Sequence, residues 1–255
     1  MTIFNGNVNS VWQAWRTKPA PSPDGGFACA PVVDLYGNVK PSPLSVDYMS
    51  ADEGSEFMAY TPTPLTAITS GICATDLAAQ VKPFILLQNQ SSGAAGSGAV
   101  RFYLRYIRII QGATVPANAT NWHFTAWVDS IVNKYTSGGT QYTPVSTNPD
   151  SPTQTKAVFY AGNVVSLAAG VNQGRRLFHA TAGSVIPVIG QEWVIEFGQS
   201  FAASVVNNSA APIQVPIRAP AVVVGPGQNF TLNMFGASSL TTGGNFEVEC
   251  VWMER

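Results

Sequence analysis

His123 and His179 are the only two histidines in a chain of 255 residues, and chemistry near neutral pH has to start from them. Neither stands in an H-x-H or H-E-x-x-H spacing, so a His-rich metal site is excluded. Asp129 is the one acid near either of them for a Ser/His/Asp arrangement. Six residues along a strand would hold it about 20 Å from His123, outside proton-transfer reach. The sequence has no G-x-S-x-G elbow, no phosphate loop of the G-x-x-x-x-G-K-[ST] type and no G-x-G-x-x-G turn. The remaining acids group as Asp52, Glu53 and Glu56, as Glu192 and Glu196 around Trp193, and as Glu247 and Glu249. The first group lacks the alternating oxygen ligands of a calcium loop. The other two read as solvated rungs on a wet strand face. No catalytic residue, metal ligand or cofactor is expected, and the chain does not read as an enzyme.

Other reactive or recognition-prone side chains are scattered. Cys29, Cys73 and Cys250 form no C-x-x-C pair and are odd in number, which suits reduced thiols filling a core better than a disulfide framework. Asn89, Asn118, Asn207 and Asn229 lie in N-x-S/T sequons that read as chance matches in an Asn/Thr-rich chain. Arg101, Arg105 and Arg108 come nearest to a basic cluster, but strand alternation puts Arg101 and Arg105 on one face and Arg108 on the other. Phosphate neutralisation needs a denser patch, so no nucleic-acid partner is expected. Trp127, Tyr135 and Tyr142 fall opposite the expected core face or in the 134–156 segment, where they could stack on a glycan ring.

The elements that would position these residues are strands. "NFEVECVWMER" (245–255) alternates Phe246, Val248, Cys250 and Trp252 with Glu247 and Glu249, the period of a strand with one dry and one wet face. Such a strand stays ordered only when docked in a sheet. "VKPFILLQN" (81–89), "GAVRFYLRYIRIIQ" (98–111) and "NWHFTAWVDSIVNK" (121–134) follow the same logic. The last of these puts Trp122, Phe124, Ala126, Val128 and Val132 on one face. "TKAVFYAGNVVSL", "RRLFHAT", "EWVIEFG", "IQVPIRAPAVVV" and "NFTLNMFG" continue the series, with Pro216 and Pro220 marking an edge or corner. A long helical period is missing throughout, and "TDLAAQ" has room for one helical turn. The expected fold is an all-β antiparallel sandwich over residues 61–255, of jelly-roll type. The segment 134–156 has turn residues and almost no aliphatic ones, so it is expected to project as a long loop from one end.

Residues 1–60 differ. Pro and Gly interrupt them too often for regular elements, so they read as an extended N-terminal arm. One short helix is predicted in "SVWQAWRTK", capped by Ser10 and ended before Pro19, with Trp12 and Trp15 on one face. Phe4, Trp12 and Trp15 are a large apolar load for a segment without its own core, and are the candidate anchors to a partner.

Composition sets the surface. Charged residues are only 11% of the chain, less than half of the usual share of about 25%. Thirteen Lys and Arg against fourteen Asp and Glu leave a formal net charge of −1. Ser, Thr, Asn, Gln and Gly must therefore keep the exterior wet, and such a surface repels its own copies weakly. A homo-oligomer is expected, with a trimer as the first expectation. No run approaches the roughly 20 apolar residues of a membrane span, and the opening "MTIFNGNVNSVWQAW" has no secretory pattern, so no membrane partner or export is expected.

The stretches Trp193–Gly198, Gly227–Asn233 and Glu247–Glu254, within residues 175–255, resemble the C-terminal half of β-sandwich structural proteins of tailed-bacteriophage virions. The resemblance implies a virion component assembled in the host cytoplasm. It would be a capsid decoration, or cement, protein that binds the major capsid protein or another virion protein, or a module of the tail or fibre. Two further expectations stand beside it: a receptor- or glycan-binding fibre module using Tyr135 and Tyr142, and a jelly-roll coat subunit.

Overall fold

The computed structural model describes residues 32–33, 39–40, 50–61, 68–69, 83–92, 99–112, 120–166, 175–185, 188–198, 214–236 and 244–255. Met1–Met49 is one compact unit and Ser50–Arg255 another. In the first, β1 (Val32–Val33) and β2 (Val39–Lys40) form an antiparallel pair with Val32 opposite Lys40. This is a short regular element in a stretch whose prolines and glycines argue against one. Phe4, Trp12, Trp15 and the helix predicted around them lie outside the described residues, as does "TDLAAQ".

The second unit is all-β, with two sheets sharing one core. The six-stranded sheet runs in the order β11 (Arg175–Val185), β7 (Thr120–Asp129), β15 (Asn229–Gly236), β5 (Ile85–Asn89), β10 (Ala157–Ser166), β8 (Tyr135–Tyr142). The eight-stranded sheet runs β13 (Gln214–Ala219), β12 (Glu192–Phe197), β6 (Phe102–Gln111), β16 (Asn245–Glu254), β3 (Glu56–Tyr60), β9 (Val145–Ser146). In addition β14 (Val223–Val224) pairs with β6, and β4 (Ile68–Thr69) pairs with β16. The chain passes repeatedly from one sheet to the other, as a sandwich requires. Among the described strands every pairing is antiparallel except β12 with β13, whose parallel register runs from Glu192–Gln214 to Phe197–Ala219. That pair is a departure from the all-antiparallel jelly roll that the strand pattern predicts.

The terminal strand is docked as its alternation demands. β16 lies between β6 and β3, and Phe246, Val248, Cys250 and Trp252 all sit in the core. Its partner β3 consists of residues that the sequence grouped with the arm. Phe57 and Ala59 face inward from it at 1% and 0% exposure, so only the flanking Pro/Gly-broken stretches concealed a buried strand.

Two other expectations are corrected. Val132 was placed on the core face of a long strand, but β7 ends at Asp129, and Val132 is exposed in the following turn, where Asn133 takes φ 55°. Residues 134–156 are not a free loop. They contain β8 and β9, which border the two sheets. Thr136–Gln141 are exposed along that border, which is why the stretch could be a strand without aliphatic side chains.

Three aromatic groups join the sheets. Trp122 of β7 lies 6.1 Å from Trp193 of β12 and 5.6 Å from Phe246 of β16, with Phe84 and Phe124 closing the group. Trp252 of β16 meets Phe159 of β10 and Phe102 of β6. Phe197 of β12 meets Phe178 of β11 and Phe230 of β15. Such pairs contribute about 0.5–1.5 kcal/mol each beyond their area. Truncating fully buried Trp252 by Trp252→Ala is therefore expected to cost about 3–5 kcal/mol in denaturant unfolding. A loss under about 1 kcal/mol would mean that the sheets are not joined there.

Candidate functional site

Four groupings of the described ionisable side chains stand out, beside an Arg255–Glu53 pair at 3.3 Å, and among the described residues no three or more metal-ligating side chains come together. The first was invisible to sequence spacing. His123 on β7 and His179 on β11 come together across the strand pair, with Nδ1 of His123 2.9 Å from Nε2 of His179. Their ring centres are 5.1 Å apart. That span places the two nitrogens nearly on the line between the rings, the arrangement in which an N–H on one ring meets the lone pair of the other. A metal held by both would need lone pairs converging on a common point. The geometry is that of a hydrogen bond, and burial, followed by the neighbouring His179, lowers the His123 pKa from its ordinary value.

The second place is the turn after β7. Asp129 is ion-paired with Lys134, and both side chains are buried. Its Oδ1 accepts the Ile131 backbone N–H at 3.1 Å and the Asn229 side-chain N–H at 2.8 Å. Asn229 also donates to the Ile131 carbonyl, and its Oδ1 accepts from Gln88. The Asp-started turn is a familiar use of an aspartate. Here the carboxylate is a structural tie between β7, β15 and β5, and it lies on the same strand as His123 without meeting it.

The third place is the outer face of the eight-stranded sheet. Arg108 reaches Glu249 at 2.5 Å and Glu192 at 3.9 Å, and the Tyr106 hydroxyl also donates to Glu249. Arg108 and Tyr106 share this face because the β6–β16 register slips between Val251 and Trp252. Arg105 is the extra residue of that bulge. The simple alternation of Arg101, Arg105 and Arg108 fails there for this reason. Burial, then the hydrogen bond to Glu249, raises the Tyr106 hydroxyl pKa. Glu192 and Glu249 are therefore members of a cross-strand network and not separate solvated rungs.

The fourth place holds β16 down. The Glu254 carboxylate accepts from the Thr155 hydroxyl, the Lys156 backbone N–H and the Trp252 indole N–H. Cys250 is fully buried, and burial, then Glu249, pushes its thiol pKa up. It is core filling, as expected; Cys29 and Cys73 lie outside the described residues.

The outer face of the six-stranded sheet is unusual. Thr125, Thr231 and Asn233 alternate with core residues of β7 and β15 and so point away from the core, yet they are 0%, 1% and 2% exposed. Their Thr125 Oγ1, Thr231 Oγ1 and Asn233 Oδ1 atoms, with the Trp127 indole nitrogen beside them, have no hydrogen-bond partner among the described residues. Buried polar atoms of this kind are where ordered water is found. Trp127 does sit opposite the core, as its position predicts.

The two candidate loop tyrosines separate. Tyr135 stacks on Tyr160, rings 4.0 Å apart and 8° from parallel, and its hydroxyl donates to the Gly138 carbonyl. Tyr142 is buried, 6.5 Å from Phe159 in the core. It is withdrawn as a contact residue because, at the end of β8, its ring turns inward. Asn89 and Asn229 are also buried, and Asn89 donates to the Val100 and Val224 carbonyls. Neither sequon can carry a glycan in this fold. No family model, curated protein or solved structure matches this chain.

Two measurements check these assignments. Lys134→Met alone strands the Asp129 carboxylate and is expected to cost about 3–5 kcal/mol, with much of that loss recovered in the double variant that adds Asp129→Leu. Additive single and double effects would show that the pair is not coupled. For His123, a lowered folded-state pKa disfavours the charged form in the fold. Stability is then full above the ordinary midpoint of about 6.5 and is lost as pH falls through the folded value. The melting temperature is expected to drop from pH 7 to pH 5, and to drop less in His123→Gln. Parallel curves for the two proteins would remove the histidine pair as the cause.

Proposed function

We propose that this protein is a structural component of a bacteriophage particle: a capsid decoration protein that stabilises the shell by binding coat subunits and its own copies. The single observation that carries the reading is how its charges are used. With 11% charged residues in the chain, several of the described acids and bases close ties within the fold, Arg108–Glu249 across strands and Asp129–Lys134 in the turn after β7 among them. Groups committed to holding strands together are not poised for proton transfer, and an exterior of Ser, Thr, Asn and Gly is suited to lying against other proteins. The sequence resemblance of residues 175–255 to phage virion sandwiches supports the same reading. In this proposal residues 1–49 attach the protein to the coat, Phe4, Trp12 and Trp15 are the anchors, and the working assembly is a homo-oligomer of three copies.

A second reading is favoured by the flat Tyr135–Tyr160 stack beside the exposed Thr136–Gln141 border. Stacked aromatics next to hydroxyl and amide groups suit a sugar ring, which would make the protein the receptor-binding module of a fibre. Deletion of residues 1–18 decides between them. Under the decoration reading the truncated protein keeps its β-sheet circular dichroism but no longer enters particles. Undiminished incorporation would overturn the assignment, and a glycan array that responds to the wild type but not to Tyr135→Ala would install the second reading.

A further inference from the structure

Among the described residues four strands end the main orders of the two sheets, β11 and β8 on one and β13 and β9 on the other, while β4 and β14, two residues each, lie off those paths. A border strand offers a row of backbone donors and acceptors to any extended partner, and proteins that stay apart close such rows off. Three of the four are closed. β8 is bent where Gly138 and Gly139 take φ 72° and 67°, and its register with β10 slips between Ala161 and Val164. The bend is built in, because a Cβ on Gly139 would stand 2.6 Å from the Gly162 carbonyl oxygen. β13 carries Pro216, which has no N–H to give, and Pro220 follows its end. β9 is two residues long.

β11 has no proline and is eleven residues long. It pairs with β7 on one side, and among the described residues nothing pairs with the other. Its register slips lie near its ends, between Arg176 and Phe178 and between Ala182 and Val185. Between them Phe178–Ala182 runs unbroken against Ala126–Trp122. Five regular residues are the length of an ordinary strand.

The charges on β11 select the partner's direction. Arg175 and Arg176 are exposed at one end, and the remaining residues of the strand carry no acid or further arginine or lysine. Parallel pairing of two copies would set arginine against arginine, which is destabilising. Antiparallel pairing about Ala180 sets Arg175 and Arg176 opposite Val185 and Ser184 of the other copy, and carries the two arginine pairs to opposite ends of the contact. A two-fold contact uses the same patch on both copies, so nothing else has to be complementary.

We infer that β11 is a homotypic docking edge. Two copies of this chain pair antiparallel through Phe178–Ala182 and join their six-stranded sheets into one continuous sheet of twelve strands. This gives one geometry to the self-association contained in the proposed function and rests on that reading; if the proposed oligomer has three copies, the strand contact links one oligomer to the next. His179 is exposed within the paired segment. His179→Lys therefore sets two like charges diagonally across the seam.

The test combines sedimentation with amide exchange on the full chain over a range of concentrations. Expected are a doubling of mass as concentration rises and, in step with it, a slowing by at least about tenfold for the outward-facing amides of 178–182. The His179→Lys protein should lose both while keeping its β-sheet circular dichroism. His123→Gln, which breaks the histidine contact without charging the seam, should keep both. Association that leaves the 178–182 amides unprotected overturns the β11 edge and leaves self-association standing. A species that stays monomeric at every concentration overturns both.

Discussion

The contact of aromatic rings between two sheets is the constraint on which the rest of this molecule depends. Trp122 and Phe124 from one sheet interleave with Trp193 and Phe246 from the other, and each ring is large enough that its neighbours must stand where they do. Stacked sheets separate by about 10 Å, and a side chain can meet its counterpart across that gap only if every strand keeps its inward parity. Where parity breaks, as at Arg105, the bulge is taken up on β6 so that Leu104 and Ile107 still face the core. The outward consequence is that Tyr106 joins Arg108 on the wet face and both can reach Glu249.

Polar groups are arranged around that core as ties. Asp129 with Lys134 and Asn229 closes the end of β7, Asn89 with Ser91 holds the exit of β5, and Glu254 holds the end of β16. Burying a carboxylate is costly unless it is both paired and hydrogen-bonded. Asp129 is paired with Lys134 and hydrogen-bonded by Asn229, and Glu254 accepts three hydrogen bonds, two of them from residues 98 and 99 positions away. Their partners are used up in the fold.

Much of the fold was legible because strand period is a local property. The inward rows of β16 and β12 follow from alternation alone, as does the outward position of Trp127. Reading failed where context outweighed local pattern. Glu56–Tyr60 was hidden by the prolines and glycines around it, Tyr142 was read by its polar neighbours, and Val132 by a period that had already ended at a turn. For the site, Asp129 opening a turn was recognisable in type, since an aspartate two residues before a backbone N–H commonly accepts from it. The contact between His123 and His179 carried no such signal, because 56 residues separate them.

The sequence by itself determined that the chain is all-β, which side chains face inward on most strands, and that its exterior would be polar and nearly uncharged, because each of these depends on residue type and a spacing of two. Only the tertiary structure decided which strands are neighbours, that one pair is parallel, that the two histidines meet at hydrogen-bond distance, and that β11 lies at a border of its sheet among the described residues. Those facts depend on register and strand order, which arise from the cooperative fit of the two sheets and are written at no single position in the chain.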